Sequence, residues 1–112
     1  MLDSNKQITF SGSELIEVLK EIEVILQSLH RMGSYYGVKF QENGEDKFRA
    51  EYEKETTRFI DEWGITQKIA NIRKILSDKF DRTLDADDMD DLERAMEGLK
   101  FWTKPADELE TE

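Results

Sequence analysis

The spacing of the apolar residues constrains this chain most. Leu15, Val18, Leu19, Ile22, Ile25, Leu26, Leu29 and Met32 recur at three- and four-residue steps, the period of a helix with one continuous apolar stripe. A strand would need alternation, and none of useful length is present. Ahead of the stripe, Ser11 stands as N-cap, Glu14 completes a capping box, and Phe10 can staple onto Leu15. Gly33 is the expected stop.

Three more segments follow the same period. Phe48, Tyr52, Phe59, Ile60 and Trp63 point inward on a second helix from about Asp46 to Trp63, with Gly64 suited to a left-handed stop. Ile65 and Thr66 then supply a staple and an N-cap for a third helix carrying Ile69, Ile72, Leu76 and Phe80. The short link makes helices two and three neighbours, expected to be antiparallel. A fourth helix starts at Asp85 as N-cap and buries Met89, Leu92, Ala95, Met96, Leu99 and Trp102, ending at Thr103-Lys104-Pro105. The expected fold is therefore all-α, a compact and mostly antiparallel bundle of four main helices. It forms a single helical domain over 1–112, with an N-terminal arm at 1–10 and a frayed acidic tail at 106–112.

Residues 33–45 interrupt the pattern with three glycines, the pair Tyr35-Tyr36 and the turn signal Asn43-Gly44. They read as an irregular connection between helices one and two. Val38 and Phe40 alternate with polar neighbours, as do Ile8 and Phe10, so a short two-stranded pairing of these stretches is a further expectation.

Charge narrows the classes of function. The chain carries a net −10, and the twenty residues from Asp78 to Glu97 hold nine acids against Lys79, Arg82 and Arg94. Such a field repels nucleic acid and anionic membrane and attracts basic protein surfaces. Asp85, Asp87 and Asp88 are accounted for as the first turn of a helix. Asp90, Asp91, Glu93 and Glu97 are expected on its outer face and, with Asp87, are the candidate partner-binding residues. The glycine-flanked Tyr35-Tyr36 joins them, since tyrosine is enriched at binding hot spots.

Catalytic and metal chemistry find no support in the spacing. A calcium loop begun at Asp81 puts Ala86 at the sixth position and Leu92 at the twelfth; begun at Asp87, it puts Met89 at the third and Gly98 at the twelfth. A di-iron bundle needs Glu-x-x-His, and Gln27 precedes the lone His30 at that spacing. His30 has no neighbours to make it the base of a triad. With no cysteine and no apolar run near the ~20 residues of a membrane span, the expectation is a soluble, cytoplasmic, non-enzymatic binding protein without cofactor or metal.

Ile72-Arg73-Lys74-Ile75-Leu76-Ser77-Asp78-Lys79-Phe80-Asp81, continuing into Asp87-Asp88-Met89-Asp90-Asp91-Leu92-Glu93 and Phe101-Trp102, resembles the small acidic helical immunity proteins of bacterial polymorphic-toxin and contact-dependent inhibition systems. The likeness covers the C-terminal half and is one of size, acidity and helix pattern. Colicin DNase immunity proteins share the acidity and a tyrosine pair, although here Tyr35-Tyr36 follows the first long helix. The resemblance implies neutralisation of a cognate toxin, a basic protein partner such as a nuclease domain. Two other readings stay open: a nucleic-acid-mimicking inhibitor of the phage anti-restriction or anti-CRISPR kind, and a regulatory helical subunit sharing its apolar stripe with a partner helix.

Overall fold

In the computed structural model, which describes residues 1–106, the chain is helical and contains no strand among the described residues. Four α-helices follow a short 3-10 turn at Asp3–Asn5: α1 Gly12–Asn43, α2 Glu45–Glu62, α3 Ile65–Ser77 and α4 Asp91–Met96. They belong to two compact units. One comprises Thr9–Lys79; the other joins Met1–Ile8 to the chain from Phe80 onward.

The first unit is a helical bundle built on α1. The capping box forms as its sequence requires, with the Glu14 N–H donating to Ser11 Oγ at 3.1 Å and the Ser11 N–H donating to Glu14 Oε1 at 3.0 Å. The expected stop at Gly33 does not occur. α1 runs through Gly33 and Gly37 to Asn43, so residues 33–43 are helix and the irregular connection reduces to Gly44, whose φ of 84° turns the chain directly into α2. Tertiary packing overrides two helix-weakening glycines. Tyr36 is buried, its ring 5.2 Å from Tyr52, and Phe40 meets the same Tyr52 edge-on at 5.8 Å. Val38 and Phe40 are consequently helical, and the two-stranded pairing does not form.

α2 packs back along the C-terminal half of α1 and ends at Gly64, which adopts the left-handed conformation at φ 59°, ψ 44°. α3 then begins at Ile65 itself, one residue ahead of the expected Thr66 cap. At its far end Lys79 Nζ reaches Glu14 Oε1 at 3.3 Å, beside the start of α1. Both α2 and α3 therefore run against α1, one after the other, instead of folding back on each other. At 1.5 Å per residue, α1 spans about 48 Å and the two shorter helices together about 47 Å. A two-arm arrangement gives each helix one covered side only. Val18, Tyr36, Phe59 and Ile65 are the buried apolar residues, while Ile60, Trp63, Ile69 and Leu76, all expected inward, stay well exposed.

The second unit has a polar interior. The long fourth helix expected from Asp85 to Trp102 is only six residues, because two local features take its ends. Asp85 to Asp88 form a turn closed by the Asp88 N–H on the Asp85 carbonyl at 2.9 Å, with Asp88 at φ 60°, a conformation aspartate tolerates. Asp90, not Asp85, is the N-cap: its Oδ1 accepts the Glu93 N–H at 2.8 Å. Gly98, at φ 86°, ends the helix. Leu99, Phe101 and Trp102 are thereby released from any helical face. Ala106 is the last described residue, and the rest of the acidic tail, 107–112, lies outside the described residues.

Candidate partner-binding surface

In the second unit Asp90 and Asp91 face inward and are held by hydrogen bonds, while Asp81, Asp85, Asp87 and Asp88 stay exposed. Asp90 is 3% exposed and Asp91 7%, so both leave the outer face expected for them. Asp90 Oδ2 accepts from Arg82 Nε at 2.6 Å while its other oxygen caps α4. Asp91 Oδ2 accepts from the Leu2 N–H at 2.8 Å and from Asn5 Nδ2 at 2.7 Å, and its Oδ1 takes Arg94 Nη1 at 3.0 Å. Asn5 is itself buried, exchanging two further bonds with the Asp81 backbone: Nδ2 to the carbonyl at 2.9 Å and the Asp81 N–H to Oδ1 at 2.7 Å. Buried carboxylates are tolerable only when paired and hydrogen-bonded in this way.

Arg94 gathers the remaining acids. Its Nε and Nη2 grip the two oxygens of Asp87 at 2.9 and 2.8 Å, and Nη2 also reaches the Met89 carbonyl at 3.2 Å. This fork holds the Asp87 carboxyl down at about 2, well below its ordinary 3.8, and raises the guanidinium in return. Hydrogen bonds from Asn5 and Leu2 lower Asp91, the Glu93 N–H lowers Asp90, and Thr83 lowers Asp81. All four stay ionised at neutral pH. They carry charge without being free to grip a partner.

Of the expected acids, Glu93 and Glu97 are exposed and form no ion pair among the described residues. Asp88 behaves the same way. The tyrosine pair lies on α1 in the other unit and divides by role: Tyr36 is buried, and burial beside Glu51 and Glu55 pushes its hydroxyl up to about 12. Tyr35 is exposed, set edge-on to Tyr36 at 4.9 Å, with Lys39 Nζ 5.5 Å above its ring.

Three features escaped the sequence reading. Asn5 and Arg82 give no pattern that marks them as structural partners of acids tens of residues away or across a turn. The third was legible: Gly98 is a helix stop, and reading it so frees Phe101 and Trp102, which are 78% and 82% exposed. Leu84, Met96 and Leu99 in the same unit are exposed as well.

Among the described residues no group of acids, histidine or cysteine could hold a metal ion, and no helix is long and apolar enough to cross a membrane. Comparison with protein families, characterised proteins and solved structures finds no match to this chain.

Proposed function

We propose that this chain is a non-enzymatic protein-binding inhibitor whose C-terminal unit engages a basic protein, with immunity against a cognate bacterial toxin in the producing cell's cytoplasm as the biological role. The observation that carries the reading is the pairing of chemistries in one unit: Phe101 and Trp102 stand almost fully exposed in a segment rich in acid. From Phe80 to Glu112 the chain has twelve Asp and Glu against four Lys and Arg. An aromatic anchor supplies affinity in a protein interface, and a surrounding charge of one sign supplies encounter rate and choice of partner. A toxin nuclease, basic because its own substrate is polyanionic, has the complementary surface. The likeness in size and acidity to small immunity proteins supports the same role.

The test is affinity capture from the native host with the intact chain and with a Phe101→Ser/Trp102→Ser chain. The expected catch is a basic protein, lost with the variant, toxic when expressed alone and tolerated when this chain is co-expressed. Recovery of the same proteins by both chains, or a catch whose toxicity this chain does not relieve, rejects the proposal.

A further inference from the structure

Helix α1 carries a second apolar line that the described residues leave largely open. Its own bundle uses Val18, Ile25, Met32 and Tyr36, which are buried or half-buried. Leu15, Leu19, Ile22, Leu26 and Leu29 lie about 75° further round and are each between 40% and 59% exposed. Their spacing of four, three, four, three is the heptad seam of a coiled coil, and no charged residue interrupts it.

The next position on this seam is Gly33, and Gly37 lies one turn beyond it. Both are interior to α1, where each glycine weakens the helix relative to alanine, and a Cβ at either would meet nothing within 4 Å. Nothing inside the chain requires a glycine at these positions. A second helix backbone or a large side chain approaching from outside would.

We propose that the Leu15–Leu29 seam is closed by the same seam of a second copy, running antiparallel across a two-fold axis, so that Leu15 of one copy seats over Gly33 of the other. In this register Leu19 faces Leu29 and Ile22 faces Leu26, each contact occurring twice, as a two-fold interface demands. The seam's large end meets the other copy's small end. Charge permits the approach: Thr9–Lys79 holds eleven Lys and Arg against thirteen Asp and Glu, so nearly all of the chain's −10 lies in the other unit. The area is modest: the overlap from position 15 to position 33 is about 27 Å long and 10 Å wide, on the order of 270 Å² in projection per copy, below the ~800 Å² per partner of a standard interface, so the dimer expected is a weak one. This inference stands apart from the proposed role of the C-terminal unit.

Sedimentation of the intact chain tests it. The expected mass is twice 13.2 kDa. Leu26→Glu, at an exposed position, is expected to weaken association by about 100-fold or more while circular dichroism keeps its helical signal. Val24→Glu, on the opposite side of α1, is expected to leave the mass unchanged. Since the chain has no cysteine, mixed Leu15→Cys and Gly33→Cys chains report the orientation by forming a disulfide-linked pair on oxidation. A monomer at high micromolar concentration, a Leu26→Glu chain that keeps the doubled mass, or failure of the mixed pair to cross-link overturns the proposal.

Discussion

Asn5 donates its side-chain amide to the Asp91 carboxylate at 2.7 Å, tying together positions 86 residues apart inside a unit whose buried residues are polar. The consequence is that an N-terminal residue with no apolar surface acts as a core residue. Asn5→Ala leaves Asp91 buried without its principal partner, so the melting temperature of this unit is expected to fall by roughly 5–10 °C. Amide exchange should rise at Asp81 and Leu2 and stay unchanged in α1. Equal exchange in both chains would show that Asn5 is dispensable.

Acid should loosen the same unit first. Asp87 has its carboxyl lowered from 3.8 to about 2, and Asp81, Asp90 and Asp91 are lowered as well. A depressed carboxyl contributes stability that is complete above the unfolded value and lost as pH falls through the folded one. Denaturation midpoints are therefore expected to hold steady down to about pH 4 and drop between pH 4 and 2. Arg94→Gln should flatten that drop, and an unchanged profile in the variant would contradict the role given to the fork.

The two kinds of glycine in the bundle should respond in opposite directions. Gly44 and Gly64 have φ of 84° and 59°, so Gly64→Ala is expected to cost about 1 kcal/mol. Gly33→Ala and Gly37→Ala enter open space at helical angles and should stabilise an isolated chain by about 0.5–1 kcal/mol each. Urea titration at low protein concentration distinguishes the two classes.

Phe59 is among the few apolar side chains that are buried, and its ring makes a tilted contact with Trp63 at 5.7 Å. Phe59→Ala is expected to destabilise the bundle by about 3–5 kcal/mol, close to the whole stability of a small domain. Retention of cooperative unfolding near the parent midpoint would argue against a core at this place.

Exposed charge should act on rates. Glu93→Gln/Glu97→Gln is expected to leave the melting temperature within a degree or two and to slow association with the captured partner severalfold at low salt, with the difference vanishing at high salt. Adding Asp90→Asn and Asp91→Asn would unfold the unit and so cannot serve this comparison.

Helix existence was legible in the apolar period of α1, α2 and α3, and the Ser11 and Glu14 capping box was legible to the atom, whereas the period of Met89, Leu92, Met96, Leu99 and Trp102 overstates a six-residue α4. Helix ends were less so. Gly33 has the signature of a stop, but Met32, Tyr36 and Phe40 continue the stripe past it at four-residue steps, and packing on Tyr52 decides the matter. Asp85 suits a cap, but five aspartates compete for that role between Asp85 and Asp91; Asp90 takes it while Arg82 holds its second oxygen. The inversion of Asp90 and Asp91 from surface to interior was not legible, since it depends on Asn5, whose distance along the chain hides it from any local pattern.

The bridge between Lys79 and Glu14 carries a consequence for the order in which this protein is made. It brings together the two ends of the helical bundle, and those ends continue directly into the two separated pieces of the polar unit. During synthesis residues 1–8 emerge some seventy residues ahead of the rest of their unit. When the bundle forms, it shortens the effective loop that separates Asn5 from Asp91, sparing the polar unit most of the entropy of finding its other half. A destabilised bundle should therefore delay the C-terminal unit, although no residue of that unit has changed.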